Sequence, residues 1–94
     1  MGYRVKRTDH NQQEIMDAIR ARYGRHSVWD LHEAGGGLPD LLMAKPDSTM
    51  VLIECKQPGK KLNEKEQKFF DEFPGRKIIA YSGEDALEKL EDKE

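Results

Sequence analysis

An α/β domain with the element order αβββαβα is predicted by three features of this sequence. Apolar residues recur at helical spacing over 15–23, two short apolar runs flank a turn-forming Lys45-Pro46-Asp47-Ser48-Thr49, and two later segments open on helix caps. The first helix starts within 9–11 and runs to about Tyr23, with Ile15, Ala18, Ile19 and Tyr23 on one face and Gly24 as its stop. Asn11 and Glu14 have capping-box spacing. A strand over 27–31 follows, then the glycine run 35–37. Residues 40–44 and 50–56 are the next two strands, joined as a hairpin because Pro, Asp and Ser favour a turn between them. Asn63-Glu64-Lys65-Glu66 is a second capping box, starting a helix that continues to about Phe73 and ends at Pro74-Gly75. The segment 76–81 reads as a last buried strand, and Ser82 caps a short helix through Leu90 that turns Ala86, Leu87 and Leu90 inward. Trp29, Phe69, Phe70 and Phe73 are assigned to the core.

The hairpin carries the chemistry. Centring its register on the turn sets Ala44 opposite Met50 and, counting outward, Asp40 opposite Glu54. Strand side chains alternate, so Glu54 and Lys56 share one face while Ile53 and Cys55 share the other. Two carboxylates and an ammonium then converge at one end of the hairpin, an arrangement that costs free energy unless something occupies it. Hard cations such as Mg²⁺ bind through one or two carboxylates together with waters and phosphates. Asp40 and Glu54 offer such a pair. Lys56 adds an ammonium able to orient or deprotonate a nucleophilic water, or to stabilise charge on a phosphorus oxygen. The bland alternative is a solvated Glu-x-Lys on an edge strand. The apolar strand that ends at this motif, and the Pro-Asp that heads its neighbour, favour the functional reading.

Three segments in this order, Gly35-Gly36-Gly37-Leu38-Pro39-Asp40-Leu41-Leu42, then Leu52-Ile53-Glu54-Cys55-Lys56, then 62–67, resemble the PD-(D/E)XK nuclease superfamily. More narrowly the chain resembles the small stand-alone VRR-NUC-type nucleases often carried by phages, over a stretch from Asp9 to the helix after Ser82. The resemblance implies a restriction-endonuclease-like core, a central mixed sheet flanked by helices. It also implies that Glu14, projecting from the first helix, contributes to metal binding directly or through water. The Cys55 carbonyl, between Glu54 and Lys56, would join the metal shell. Gln67 would lie near Lys56, orienting it or touching a phosphate. Many relatives carry Val where this chain has Cys55, a side chain expected to point away from the metal.

Composition narrows the remaining classes. Its 94 residues support one domain, 1–94, with a single modest core. One cysteine excludes an intramolecular disulfide framework, and no secretory signal or membrane-spanning stretch is present, so a cytoplasmic protein is expected, in a bacterial host if phage-encoded. A net charge of −2 and a pI near 5.9 argue against histone-like DNA binding. The charge is unevenly spread: residues 84–94 hold six acidic and two basic side chains, whereas 1–26 hold six basic and three acidic. Arg4, Lys6, Arg7, Arg20, Arg22 and Arg25 are therefore candidates for phosphate contacts. The glycine run lacks the lysine and helix context of a P-loop, and its expected role is a tight turn that lets DNA approach Asp40. His10, His26 and His32 with Cys55 show no zinc-ligand spacing, and Cys55 has no paired histidine that would make it a catalytic thiol.

The reading that unites these features is a Mg²⁺- or Mn²⁺-dependent DNA endonuclease. Asp40 and Glu54 hold the metal, Lys56 positions water or transition-state charge, and Glu14 supports a second ion about 4 Å from the first. Family analogy adds branched DNA, such as a four-way (Holliday) junction, as substrate. Paired cuts in a two-fold junction imply a homodimer, because one chain offers one site. The rival from another class is a catalytically idle DNA-binding or partner-binding module on the nuclease fold. A sequence-specific restriction enzyme is a weaker rival, since so short a chain has little room for a recognition insertion.

Overall fold

The chain runs α1 (Gln12–Tyr23), β1 (Val28–Asp30), β2 (Leu41–Ala44), β3 (Met50–Cys55), α2 (Glu64–Glu72), β4 (Lys77–Ala80) and α3 (Gly83–Glu91), the order expected from sequence. The computed structural model describes residues 11–31, 33–34 and 37–92. The four strands form one mixed sheet in the order β1-β2-β3-β4, with β1, β2 and β3 antiparallel and β4 parallel to β3. A parallel neighbour requires a crossover, and α2 lies in it. Among the described residues no helix is long and apolar enough to cross a membrane.

The hairpin forms in the predicted register. Ala44 pairs with Met50 and Leu41 with Ile53, so one further step sets Asp40 against Glu54. Its turn closes on itself: the Lys45 amide donates to the Thr49 carbonyl, and the Thr49 amide donates to the Asp47 carboxylate. Ile15, Met16 and Ile19 of α1, with Ala86 and Leu90 of α3, pack on one face of the sheet against Val28, Leu41, Met43, Val51, Ile53 and Cys55. These strand positions alternate in sequence, which gives the core a single side.

The opposite face is covered less than the sequence predicts. Trp29, expected in the core, is 63% exposed on edge strand β1, where it pairs with Leu42. α2 buries none of its residues; Phe69 and Phe73 stack on each other with centroids 5.0 Å apart. Phe73 also lines a shallow cavity of about 330 Å³ with Leu42, Met50 and Leu52. β4 is an edge strand in which only Ala80 is fully buried, not the buried strand expected. The physical reason is common to all three: β-branched and aromatic residues favour strands and apolar contact without specifying which sheet face a helix will cover.

The start of α2 is fixed from outside by Gly37. Its φ is +84°, and a Cβ there would lie 2.9 Å from the Lys65 carbonyl oxygen. Gly37→Ala is therefore expected to destabilise the fold by about 2 kcal/mol, from left-handed backbone cost plus the clash, as read from a denaturant midpoint. Its glycine is needed for contact with α2, a role not assigned from sequence. Gly35 and Gly36 lie outside the described residues.

Candidate active site

The end of the hairpin that gathers Asp40, Glu54 and Lys56 is built by strand alternation and one side-chain bond. Asp40 immediately precedes β2, Glu54 is the penultimate residue of β3, and Lys56 directly follows it. The Asp40 carboxylate accepts the Cys55 amide at 2.8 Å, carrying the pairing of the two strands one step past the ladder with a side chain in place of a carbonyl. That bond fixes where Asp40 points. Glu54 is 3% exposed, and among the described residues its Oε1 has no hydrogen-bond partner. The Lys56 ammonium lies 3.8 Å from Glu54 Oε2 and 2.8 Å from Glu66 Oε1.

Electrostatics separate the two glutamates. Burial, then the neighbouring charges of Asp40 and Glu66, push the Glu54 carboxyl up to about 9, against a smaller pull from Lys56. Glu66 is also penalised by burial. However, hydrogen bonds from Lys56, from the Asn63 amide and from Glu54 outweigh that penalty and hold it below the ordinary glutamate value. The fold therefore favours the protonated form of Glu54 and the ionised form of Glu66, and it is Glu66 that meets the Lys56 ammonium at hydrogen-bond distance.

Glu66 is the site residue that sequence reasoning missed. The predicted capping box is present, with the Asn63 side chain accepting from the Glu66 amide and the Glu66 carboxylate accepting from the Asn63 amide. That same bend carries Glu66 back over the α2 N-terminus to Lys56. Gln67, expected beside Lys56, is exposed and donates to Asp71 one turn on. The capping-box spacing is the sequence signal for Glu66, since the bond that starts the helix also turns its carboxylate back to Lys56.

At the start of α1 the expected Asn11–Glu14 capping box does not form. Asn11 instead donates through its side-chain amide to the carbonyls of Lys56 at 2.9 Å and Tyr81 at 3.0 Å, tying α1 to the ends of β3 and β4. Glu14, one turn on, accepts the Gly83 amide at 2.9 Å and so serves the N-terminus of α3. The Cys55 side chain is fully buried on the core side, as strand alternation predicts.

Two described basic residues of the N-terminal segment, Arg20 and Arg22, are engaged elsewhere, whereas Arg25 is exposed just past the end of α1. Arg22 pairs with Glu91 on α3, and Arg20 donates to the Val28 carbonyl. Both lie more than two turns along α1 from Asn11, near the far end of the helix. Arg4, Lys6, Arg7 and His10 lie outside the described residues, as does His32.

The donors present fit a hard divalent cation. Two acidic side chains meet from adjacent strands, one of them with a buried oxygen lacking a hydrogen-bond donor, and oxygen ligands of this kind suit Mg²⁺. Among the described residues no group of three or more His, Cys, Asp or Glu is placed to hold an ion, so the remaining ligands would come from carbonyl, solvent and phosphate oxygens. Residues 2–82 match the family model of the VRR-NUC domain. No curated protein and no solved structure matches the chain.

Proposed function

The chain belongs to the VRR-NUC domain family, and from that premise we propose that this nuclease domain hydrolyses phosphodiester bonds of branched DNA with Mg²⁺ or Mn²⁺ held by Asp40 and Glu54. Family membership gives nuclease function with DNA as its substrate. The observation that supports the finer reading is the buried acidic pair at one hairpin end with Lys56 beside it.

When bound, the cation supplies electrophilic stabilisation of the phosphate oxygens and makes water a better nucleophile. Asp40, oriented by the Cys55 amide, and Glu54 present their oxygens from neighbouring strands. The incoming water forms a bond to phosphorus and releases a proton to solvent, the bond to the opposite sugar oxygen breaks in line and that oxygen takes up a proton from solvent, and the Lys56 ammonium stabilises the negative charge spread over the phosphorus oxygens. Its side chain is 16% exposed, so the ammonium meets substrate from a partly water-excluded position where its charge counts for more. The Cys55 carbonyl is assigned to the metal shell, and Gln67, which faces outward beside Asp71, to a phosphate of the substrate away from Lys56. Glu14 is assigned a supporting role through water, with one oxygen committed to Gly83.

A gel assay of linear, flap and four-way-junction DNA with and without Mg²⁺ tests this reading. Metal-dependent cuts with preference for the junction are expected; a protein that binds the junction and leaves it uncut at millimolar Mg²⁺ is instead the idle module. The active form is proposed to be a cytoplasmic homodimer, because resolving a two-fold junction needs two matched sites. Light scattering at micromolar concentration should give the mass of two chains, and a cruciform plasmid should be cut on both strands in one encounter. A single-chain mass with uncoupled nicks rules the dimeric resolvase out.

A further inference from the structure

We propose that Glu66 is a positioning residue that sets the place of the Lys56 ammonium, an inference that rests on the assignment of Lys56 to phosphodiester hydrolysis. Lysine is a point charge on a flexible four-carbon stem, so its usefulness in a site depends on a second group that fixes its end. Glu54 alone does not do this, since its nearest oxygen is 3.8 Å away, beyond hydrogen-bond reach. Glu66 does, at 2.8 Å.

The Glu66 acceptor is itself immobilised. One oxygen, Oε1, takes both the Lys56 ammonium and the Asn63 amide, the latter at 2.9 Å, so the capping box and the lysine clamp are the same atom. Glu66 is 17% exposed on a helix that otherwise rests lightly on the sheet, with no residue buried. The first turn of α2 is held from its other side by Gly37, whose missing Cβ admits the Lys65 carbonyl three residues before Asp40. The loop that delivers Asp40 therefore also sets the height of Glu66, and through it of Lys56. Two strands and one helix start are thereby locked into a single geometry around the reacting phosphate.

Three variants separate positioning from helix capping. Glu66→Ala removes both bonds, Glu66→Gln keeps an oxygen that accepts both, and Asn63→Ala breaks the other half of the capping box while leaving the Glu66 carboxylate in place. With Mg²⁺ and junction DNA, Glu66→Ala should lower kcat on the order of tenfold to a hundredfold with KM changed less than about twofold, the scale of loss from misplaced reacting groups. Glu66→Gln should recover most of that kcat, and Asn63→Ala should melt at a lower temperature with kcat retained. A metal-free readout accompanies these: acylation of Lys56 by an amine reagent, followed by peptide mass spectrometry, should rise severalfold in Glu66→Ala and stay at the wild-type level in Asn63→Ala. Equal losses of kcat in Asn63→Ala and Glu66→Ala, or Lys56 labelling unchanged in Glu66→Ala, overturn the proposal. A wild-type protein that cleaves nothing with Mg²⁺ instead overturns the nuclease reading, and the labelling still decides whether Glu66 holds Lys56.

Discussion

Asp40→Asn and Lys56→Ala are each expected to abolish Mg²⁺-dependent cleavage while leaving the fold and much of the DNA binding intact. Asparagine keeps an oxygen that can accept the Cys55 amide, so the hairpin end should close as before; what is lost is the negative charge offered to the cation. Lys56→Ala removes an ammonium whose expected contribution, on the scale of one preorganised charge-stabilising donor, is about 10²- to 10³-fold in rate. It also strips Glu66 of its principal partner, so some stability goes with it. Circular dichroism and a thermal melt establish that each variant is folded, and junction binding in Ca²⁺ establishes that substrate still docks. Undiminished cleavage by either folded variant removes these residues from the chemistry.

Local rules predicted the elements because they act over one to five residues. The 45–49 turn sets the hairpin register, and with it the facing of Asp40 and Glu54, without help from tertiary contacts. Ser82 and Asn63 cap their helices as spacing predicts, with Ser82 accepting the Asp85 amide. Which face a helix covers is a different kind of information. Trp29 and the α2 phenylalanines look like core residues in sequence, yet α1 and α3 both pack on the other side of the sheet.

The site shows the same division at finer grain. Asn11–Glu14 and Asn63–Glu66 have identical spacing, but only the second forms a box. The Asn11 amide is drawn off by the Lys56 and Tyr81 carbonyls, two groups at strand ends that would otherwise lack this partner, and tertiary bonding displaces the local one. Glu66 and Gln67 are neighbours in sequence but about 100° apart around the helix. The capping geometry points Glu66 back to Lys56 and leaves Gln67 on the outer side with Asp71. Family analogy points to Gln67, and the hydrogen-bond pattern of the first turn of α2 brings its neighbour Glu66 to the lysine instead.

Glu54 makes the metal-free protein pH-sensitive in a defined direction. Its carboxyl titrates near 4.5 when unfolded and is pushed up to about 9 in the fold, first by burial and then by Asp40. The folded state therefore holds a proton that the unfolded chain has released. This contribution to stability is fully present below pH 4.5 and is lost as pH rises through 9, with a slope approaching about 1.4 kcal/mol per pH unit for one proton. Without metal, the melting temperature should fall between pH 5 and 9 by several degrees per unit, the scale expected for a domain of this size. At the proposed site Mg²⁺ or Mn²⁺ would replace that proton, so metal should raise the melting temperature most at the alkaline end and release a proton on binding. Glu54→Gln has no carboxyl to titrate: its metal-free melting curve should be flatter with pH, higher than wild type near pH 8, and nearly indifferent to metal. A wild-type melting temperature that ignores millimolar metal across this whole range argues against a cation at the Asp40–Glu54 pair and for a module that keeps the fold without the chemistry.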